Sequence, residues 1–232
     1  MATADALACA SCPVRDRAAC SVLSEDERAD LAAIGRHRTL KRGETLFAAG
    51  DSPTSCATLI SGALKISSVD EEGVERILSL VHPAGFVGEL FAPQAKHSIV
   101  ALTDSTVCVF PAKRYEEALE RFPALGRALL RRSADDLYAS RALIDLMGRR
   151  TATAKVAGLI KAMAEAASTS PCHPAGSFEL PLSREEIAGL LGLTIETVSR
   201  QLGRLESEGA IRREGRRGVR LTNAALLDRL AG

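Results

Sequence analysis

Between Leu40 and Val109 the chain is cut by glycine and aspartate into short apolar or β-branched runs: LKRGETLFAAGD, CATLISGALKISSVDEEGVERILSLV, GFVGEL and SIVALTDSTVCV. Runs of about four to seven residues, with turn signals every eight to twelve or so, suit an antiparallel sandwich or barrel. An eight-strand-like β-roll is the expected outcome. Gly43, Gly50, Gly62, Gly73, Gly85 and Gly88 stand at its expected turns, where the backbone commonly needs a positive φ.

After Pro111 the period becomes helical. KRYEEALERF predicts a short helix, and Pro123, suited to a first helical turn, opens a long one running to about Met147. Leu130, Leu137 and Ile144 recur every seven residues along it, with Gly126, Ser133, Ser140 and Met147 beside them. That seam is narrow enough to face one partner helix, so Leu130, Ser133, Leu137, Ser140, Ile144 and Met147 are the expected dimer contacts. The other reading lays the same helix on its own β-roll. The two serines permit close approach but bury little apolar area, and Asp136 would meet like charge across such a seam, which makes the pairing marginal. TATAKVAGLIKAMAEAA predicts a further helix, and STSPCHPAGSF a loop.

The C-terminal third carries the most specific pattern. In LSREEIAGLLG, Ser183 and Glu186 make a capping-box pair ahead of Ile187, Leu190 and Leu191, and Gly192 ends the helix. LTIETVSRQLGRLESEG starts again with Thr194 as N-cap and offers Val198, Leu202 and Leu205 for burial. Two short helices joined at a glycine are a helix-turn-helix, whose second helix presents Glu196, Thr197, Ser199, Arg200 and Arg204 to a major groove. AIRREGRRGVRLT follows as a two-strand wing in which Arg212, Arg213, Arg216, Arg217 and Arg220 face the single Glu214. Such local positive charge contacts phosphate, and Arg212, Arg216 and Arg217 join the expected DNA contacts. Double-stranded DNA is the expected partner, although the formal net charge of the whole chain is only +1.

Three of the six cysteines, Cys9, Cys12 and Cys20, crowd into CASCPVRDRAAC, a C-x2-C-x7-C pattern one ligand short of a four-thiolate site. An alanine-rich stretch so near the start has little with which to bury them. MATADALACASC has neither the basic n-region nor the apolar h-region of a secretory signal, and no apolar run approaches the ~18 residues of a membrane span. The expected setting is therefore cytoplasmic, reducing and off the membrane. Clustered thiols there bind metal or a cluster, or do redox work.

In Gly43-Glu44, Gly50-Asp51, Ser61-Gly62, Glu72-Gly73 and Gly88-Glu89-Leu90, and more tightly in GLTIETVSRQLGRLESEG, the chain resembles the Crp/Fnr family of transcriptional regulators over nearly its whole length. The resemblance implies an α+β architecture: an N-terminal double-stranded β-helix, which is a cyclic-nucleotide-binding-like β-roll, then a long dimerisation helix and a C-terminal winged helix-turn-helix. Its expected divisions are residues 1–22 for a cluster-binding segment, 23–121 for the β-roll, 122–148 for the helix and 149–232 for the DNA-binding domain. Crp-type recognition helices read Arg-Glu-Thr-Val-Gly-Arg; here Ile195 and Ser199 replace the Arg and the Gly, which is the Fnr type. That subgroup implies a [4Fe-4S] cluster on Cys9, Cys12, Cys20 and Cys108, oxygen sensing, and a homodimer on a TTGAT-N4-ATCAA-like palindrome. RNA polymerase is the further partner, with the acidic turn Asp70-Glu71-Glu72-Gly73 either touching it or simply solvated. Two switching schemes follow: a dimer made only with the cluster in place, or a permanent dimer whose DNA-binding domains are re-aimed.

The residues alone leave alternatives open. Zinc takes four thiolates too. Gly88-Glu89-Leu90 survives from a nucleotide pocket, but Lys96-His97-Ser98 lacks the Arg-Ser pair that binds a cyclic phosphate in Crp-type relatives, and lysine lacks the bidentate fork. Cys56 alternates with Thr58 and Ile60 as a packed residue, and Cys172 lies in the Pro-rich connection. No Walker A loop, G-x-S-x-G elbow, H-E-x-x-H pair or nicotinamide fingerprint is present, and His37, His82, His97 and His173 are scattered, which disfavours an enzyme or an electron carrier.

Overall fold

In the computed structural model, which describes residues 9–168 and 173–232, the chain divides into two units, Met1–Ala139 and Ser140–Gly232. In the first, two short 3-10 turns (Cys9–Ser11 and Ala19–Val22) precede α1 (Glu25–Ile34), followed by β1 (Arg36–Leu40), β2 (Thr45–Phe47), β3 (Ser55–Ser61), β4 (Leu64–Val69), β5 (Glu75–Val81), β6 (Phe86–Val87), β7 (Ser98–Ala101) and β8 (Ser105–Pro111). These strands form two four-stranded antiparallel sheets, ordered β1-β8-β3-β6 and β2-β7-β4-β5, the expected β-roll. Leu59, Leu64, Val87, Ile99 and Val107 meet in its core. Side chains alternate across a strand, so the residues between them must face outward. On β3 these are Cys56, Thr58 and Ile60, and on β8 Cys108 and Phe110, in a register that pairs Thr58 with Cys108 and Cys56 with Phe110.

That outer face is covered. α2 (Ala112–Arg121) lays Tyr115 and Ala118 over Cys56 and Phe110, α1 adds Leu31, and α3 (Pro123–Gly148) begins with Leu125 in the same cluster. Burying a side chain of this size contributes about 1.5–3 kcal/mol. Five of the six turn glycines have positive φ, but at the β5–β6 turn the left-handed position belongs to Ala84, at φ 78°, not to Gly85. Gly85 is required for space instead: a Cβ there would stand 2.5 Å from Val81 Cγ1 and 2.8 Å from the His82 carbonyl oxygen.

In the second unit, α4 (Ala152–Ala166) precedes β9 (Ser177–Glu179), α5 (Arg184–Leu191), α6 (Ile195–Ser207), β10 (Ile211–Glu214), β11 (Gly218–Leu221) and α7 (Ala224–Ala231). The wing has three strands among the described residues rather than two, because Phe178 of β9 pairs with Val219 of β11. The loop expectation had hidden that strand. α4 packs on α6 and α7, and Lys155 donates to the Leu191 carbonyl at 3.1 Å, satisfying an orphan acceptor at the end of α5. Among the described residues no helix is long and apolar enough to cross a membrane.

Candidate functional site

The N-terminal cysteines sit on a chain of tight turns. The Cys12 N–H donates to the Cys9 carbonyl at 3.4 Å, Ala18 to Val14 at 2.9 Å and Leu23 to Cys20 at 3.3 Å. Val14 and Ala18 are buried against Ile60 and Ala84, while Ala19 and Leu23 join the Leu31, Phe110 and Tyr115 cluster. The alanines that seemed unable to bury anything therefore do so: small side chains let this backbone lie close to the sheet, and the sheet supplies the apolar area.

Arg28 of α1 pins the second turn. Its guanidinium donates to the Leu23 carbonyl at 3.0 Å, to Cys20 and Ser21 at 3.4 Å, and to the Glu25 carboxylate at 3.1 Å. Glu25 also receives Arg15. α1 itself starts at a capping box, Ser24 with Glu27, a signal present in the sequence but unread above.

Cys9, Cys12, Cys20 and Cys108 line one pocket, walled by Val14, Ala18, Leu31, Thr58, Phe110 and Tyr115, with Arg15 and Arg28 also on its lining. Burial pushes the Cys108 thiol up to about 12, and Cys12, Cys9 and Cys20 add to the shift. Cys20 and Cys9 are raised too, by burial first and by Cys12 next, with Arg28 pulling both the other way. Thiols so placed keep their protons at neutral pH, and a metal that displaces them releases those protons. Among the described residues no group of three or more His, Cys, Asp or Glu side chains is arranged to hold a metal ion. Cys56, fully buried and raised to about 12 by burial, packs beside Tyr115. Cys172 lies outside the described residues.

In the nucleotide-like loop, Glu89 is engaged by partners from within the same segment. Burial raises the Glu89 carboxyl, yet hydrogen bonds from the Lys96 N–H at 2.8 Å and the His97 ring at 2.9 Å outweigh it and hold the group below its ordinary range. On α3, Leu130, Leu137 and Ile144 are 71%, 51% and 69% exposed, and Met147 is exposed as well. Ser133 returns its hydroxyl to the Leu129 carbonyl at 3.1 Å, and Ser140 lies half-buried in the same seam. Tyr138, also exposed, was missed because it falls off the seven-residue repeat.

In the second unit both capping signals hold: Ser183 and Glu186 cap α5 reciprocally, and Thr194 accepts from the Thr197 N–H at the start of α6. Gly192 makes the joint at φ 62°, a left-handed C-cap. Val198, Leu202 and Leu205 are buried, which turns Glu196, Ser199 and Arg200 outward. Backbone N–H at the helix start, and then the Thr194 hydroxyl, hold the Glu196 carboxyl below its usual range. Arg200 lies against Thr197 at 3.5 Å. Arg204 is engaged elsewhere, donating to Glu208 at 2.6 Å and to Thr153 at 3.3 Å.

The wing arginines are not equivalent. Arg213 pairs with Glu206 at 2.6 Å and Arg220 with Glu214 at 2.7 Å, so Glu214 is not the single counter-charge. Arg216 and Arg217 line a groove with Leu180, Leu182, Ile187 and Leu202, and Arg212 is exposed on β10. Arg184, missed above, lines the same groove and reaches Ser199 Oγ at 3.4 Å. Its place at the first position of α5, beside the cap, was the available signal.

Residues 37–122 match the cyclic nucleotide-binding domain family, and residues 154–230 the Crp-like helix-turn-helix domain. Over 97% of this chain and 92% of the relative, the sequence is 35% identical to the transcriptional activator protein FnrL of Cereibacter sphaeroides. The chain belongs to the Crp/Fnr family. Another Crp/Fnr relative, the nitrogen fixation regulation protein FixK of Bradyrhizobium diazoefficiens, is 32% identical over 88% of this chain and 85% of its own length. The solved structure of FixK2 from Bradyrhizobium japonicum matches with a TM-score of 0.76 and 25% identity, over 86% of this chain and 98% of that one. As a Crp/Fnr member the chain is a DNA-binding transcriptional regulator, not an enzyme.

Proposed function

We propose that Cys9, Cys12, Cys20 and Cys108 hold a [4Fe-4S] cluster, and that the chain responds to oxygen or another redox input, binding a TTGAT-N4-ATCAA-like palindrome as a homodimer at low oxygen. The observation that carries this reading is the meeting of Cys108, from β8, with three N-terminal cysteines in one apolar-walled pocket. Four thiolates are the ordinary donor set for such a cluster. Zinc takes four thiolates as well, and metal analysis of the purified protein separates the two. When bound, the cluster supplies oxygen-labile iron–thiolate bonds between the N-terminal segment and β8.

The chain's own residues do the rest. Arg28 holds the Cys20 turn, while Leu31, Phe110 and Tyr115 supply apolar walls to the pocket. The exposed seam on α3 supplies the face for a second copy. Only a dimer sets two recognition helices about 34–36 Å apart for a two-fold symmetric site. On each, Arg200 is suited to guanine O6 and N7, Glu196 to cytosine N4 and Ser199 to a thymine. Bound protein then has RNA polymerase as its partner, an inference supported by relatives named as transcriptional activators.

Protein purified without air is expected to be brown, to carry about four irons and four sulfides per chain, and to bleach and shift towards monomer in air. Stoichiometric zinc in a colourless, air-indifferent protein would overturn the cluster. Anaerobic site selection that returned no TTGAT-like palindrome would overturn the half-site assignment.

A further inference from the structure

We infer that Arg132 is the positioning residue through which the cysteine segment sets the rotation of α3. The inference rests on the proposal that a group bound at Cys9, Cys12, Cys20 and Cys108 orders that segment.

Arg132 reaches off the helix to two carbonyls from different parts of the fold: Nη2 donates to Ala84 at 3.0 Å and to Arg17 at 3.3 Å. Arg17 lies between Cys12 and Cys20 in the sequence. Ala84 belongs to the β5–β6 turn, and its methyl packs with Val14, Ala18 and Ile60 in the small cluster against which Cys12, Cys20 and Cys108 rest. A non-glycine residue at φ 78° persists only where its surroundings over-determine it, and here the Ala84 N–H is tied to the Leu59 carbonyl at 2.8 Å. One acceptor is thus part of the sheet, and the other is part of the cysteine segment.

Helical residues three, four and seven apart share a face. Arg132 therefore continues the line of Leu125, Ala128 and Leu129, by which α3 packs on the first unit. Leu130 and Leu137 point to another side and are exposed. An anchor at Arg132 fixes which direction that exposed side takes, at the level of the helix where the seam begins. With Arg17 in place the guanidinium, a rigid fork of donors, is held from two sides. If the cysteine segment lifts, only the Ala84 carbonyl remains to hold the guanidinium, and the direction of the seam is fixed less tightly.

The test uses the full-length chain prepared without air, with Arg132→Ala and Arg132→Lys. Iron and sulfide per chain, the dimer dissociation constant by sedimentation, and hydrogen exchange over residues 14–20 are measured together. The expected result for Arg132→Ala is wild-type iron, a dimer weakened about tenfold or more, as the loss of its two charge-assisted hydrogen bonds allows, and faster exchange in the segment. Arg132→Lys, which keeps a charged donor, should recover part of each. Unchanged dimerisation at wild-type iron would overturn the inference, and so would iron lost in parallel with the dimer, since Arg132 would then be a support of the pocket. If the wild type itself holds no iron, the cluster reading fails alone; the exchange and sedimentation of the Arg132 variants still decide whether this residue links segment to helix.

Discussion

The guanidinium of Arg28, only 6% exposed, donates from both Nε and Nη2 to the carbonyl of Cys20, each at 3.4 Å. A buried charge is tolerable only when its donors are used, and this one is used on the backbone of the turn that carries a candidate ligand. Helix α1 thereby holds Cys20 in place through main-chain atoms, leaving the thiol itself for the pocket.

Arg28→Ala strands carbonyls that are partly shielded from water, at about 1–3 kcal/mol for each one left buried. The expected outcome is a lower melting temperature and alkylation of Cys20 several times faster than in the wild type. Lysine cannot span several carbonyls as the planar fork does, so Arg28→Lys should rescue only in part. Wild-type alkylation of Cys20 in Arg28→Ala would show that the turn holds without it.

Cys108→Ala should abolish iron binding, whereas Cys56→Ala should keep it. Cys56 is fully buried on the same side of the sheet but belongs to the Tyr115 cluster rather than to the pocket lining. Iron and sulfide analysis of both variants decides the matter, and equal losses would point to a different fourth ligand.

Leu137→Glu should leave the fold of the monomer intact, because the side chain it replaces is exposed there. Across a two-fold seam it sets like charges together. Sedimentation should show a monomer, with affinity for a palindromic site falling accordingly; a dimer of unchanged strength would move the interface elsewhere.

Arg200→Ala should cost roughly 1–3 kcal/mol in DNA binding and blunt preference at the guanine. Arg216→Ala should weaken all sequences alike and reduce the salt slope by about one. Titrations by anisotropy at several salt concentrations separate the two behaviours, and a sequence-specific loss in Arg216→Ala would reassign the wing tip to base reading.

Glu206 ties β10 to α6, and the Arg213 N–H, followed by its side chain, holds the carboxyl below the ordinary range. A depressed folded value means that the link is complete above the unfolded carboxylate pKa, about 4.3, and is lost only as pH falls through the lower folded value. The Arg213 amide signal in an NMR titration should therefore move below pH 4 and stay flat from pH 5 to 8. In Glu206→Gln that acid transition should vanish. A transition at the ordinary glutamate value would mean the pair does not form in solution.

The sequence by itself determined the elements whose hydrogen bonds close within a few residues. The capping box of α5, the left-handed joint at Gly192, the run lengths of the β-roll and the seven-residue repeat on α3 are all local, and each could be read before any fold was known. Part of the site was legible for the same reason, since the recognition helix carries its outward residues on a simple period. Tertiary structure decided what depends on partners distant in the chain: that Ala18 and Ala19 find apolar area on β3 and α2, that β9 joins the wing, that Glu206 takes Arg213, and that Arg132 reaches Arg17 and Ala84. Even the β5–β6 turn followed this division. Its glycine was visible, but the left-handed residue is Ala84, and Gly85 is needed for a different reason: Val81 and His82 crowd the space where a Cβ of residue 85 would stand. A period of two or of 3.6 states which residues share a face; only the packed sheet and helices determine what that face meets.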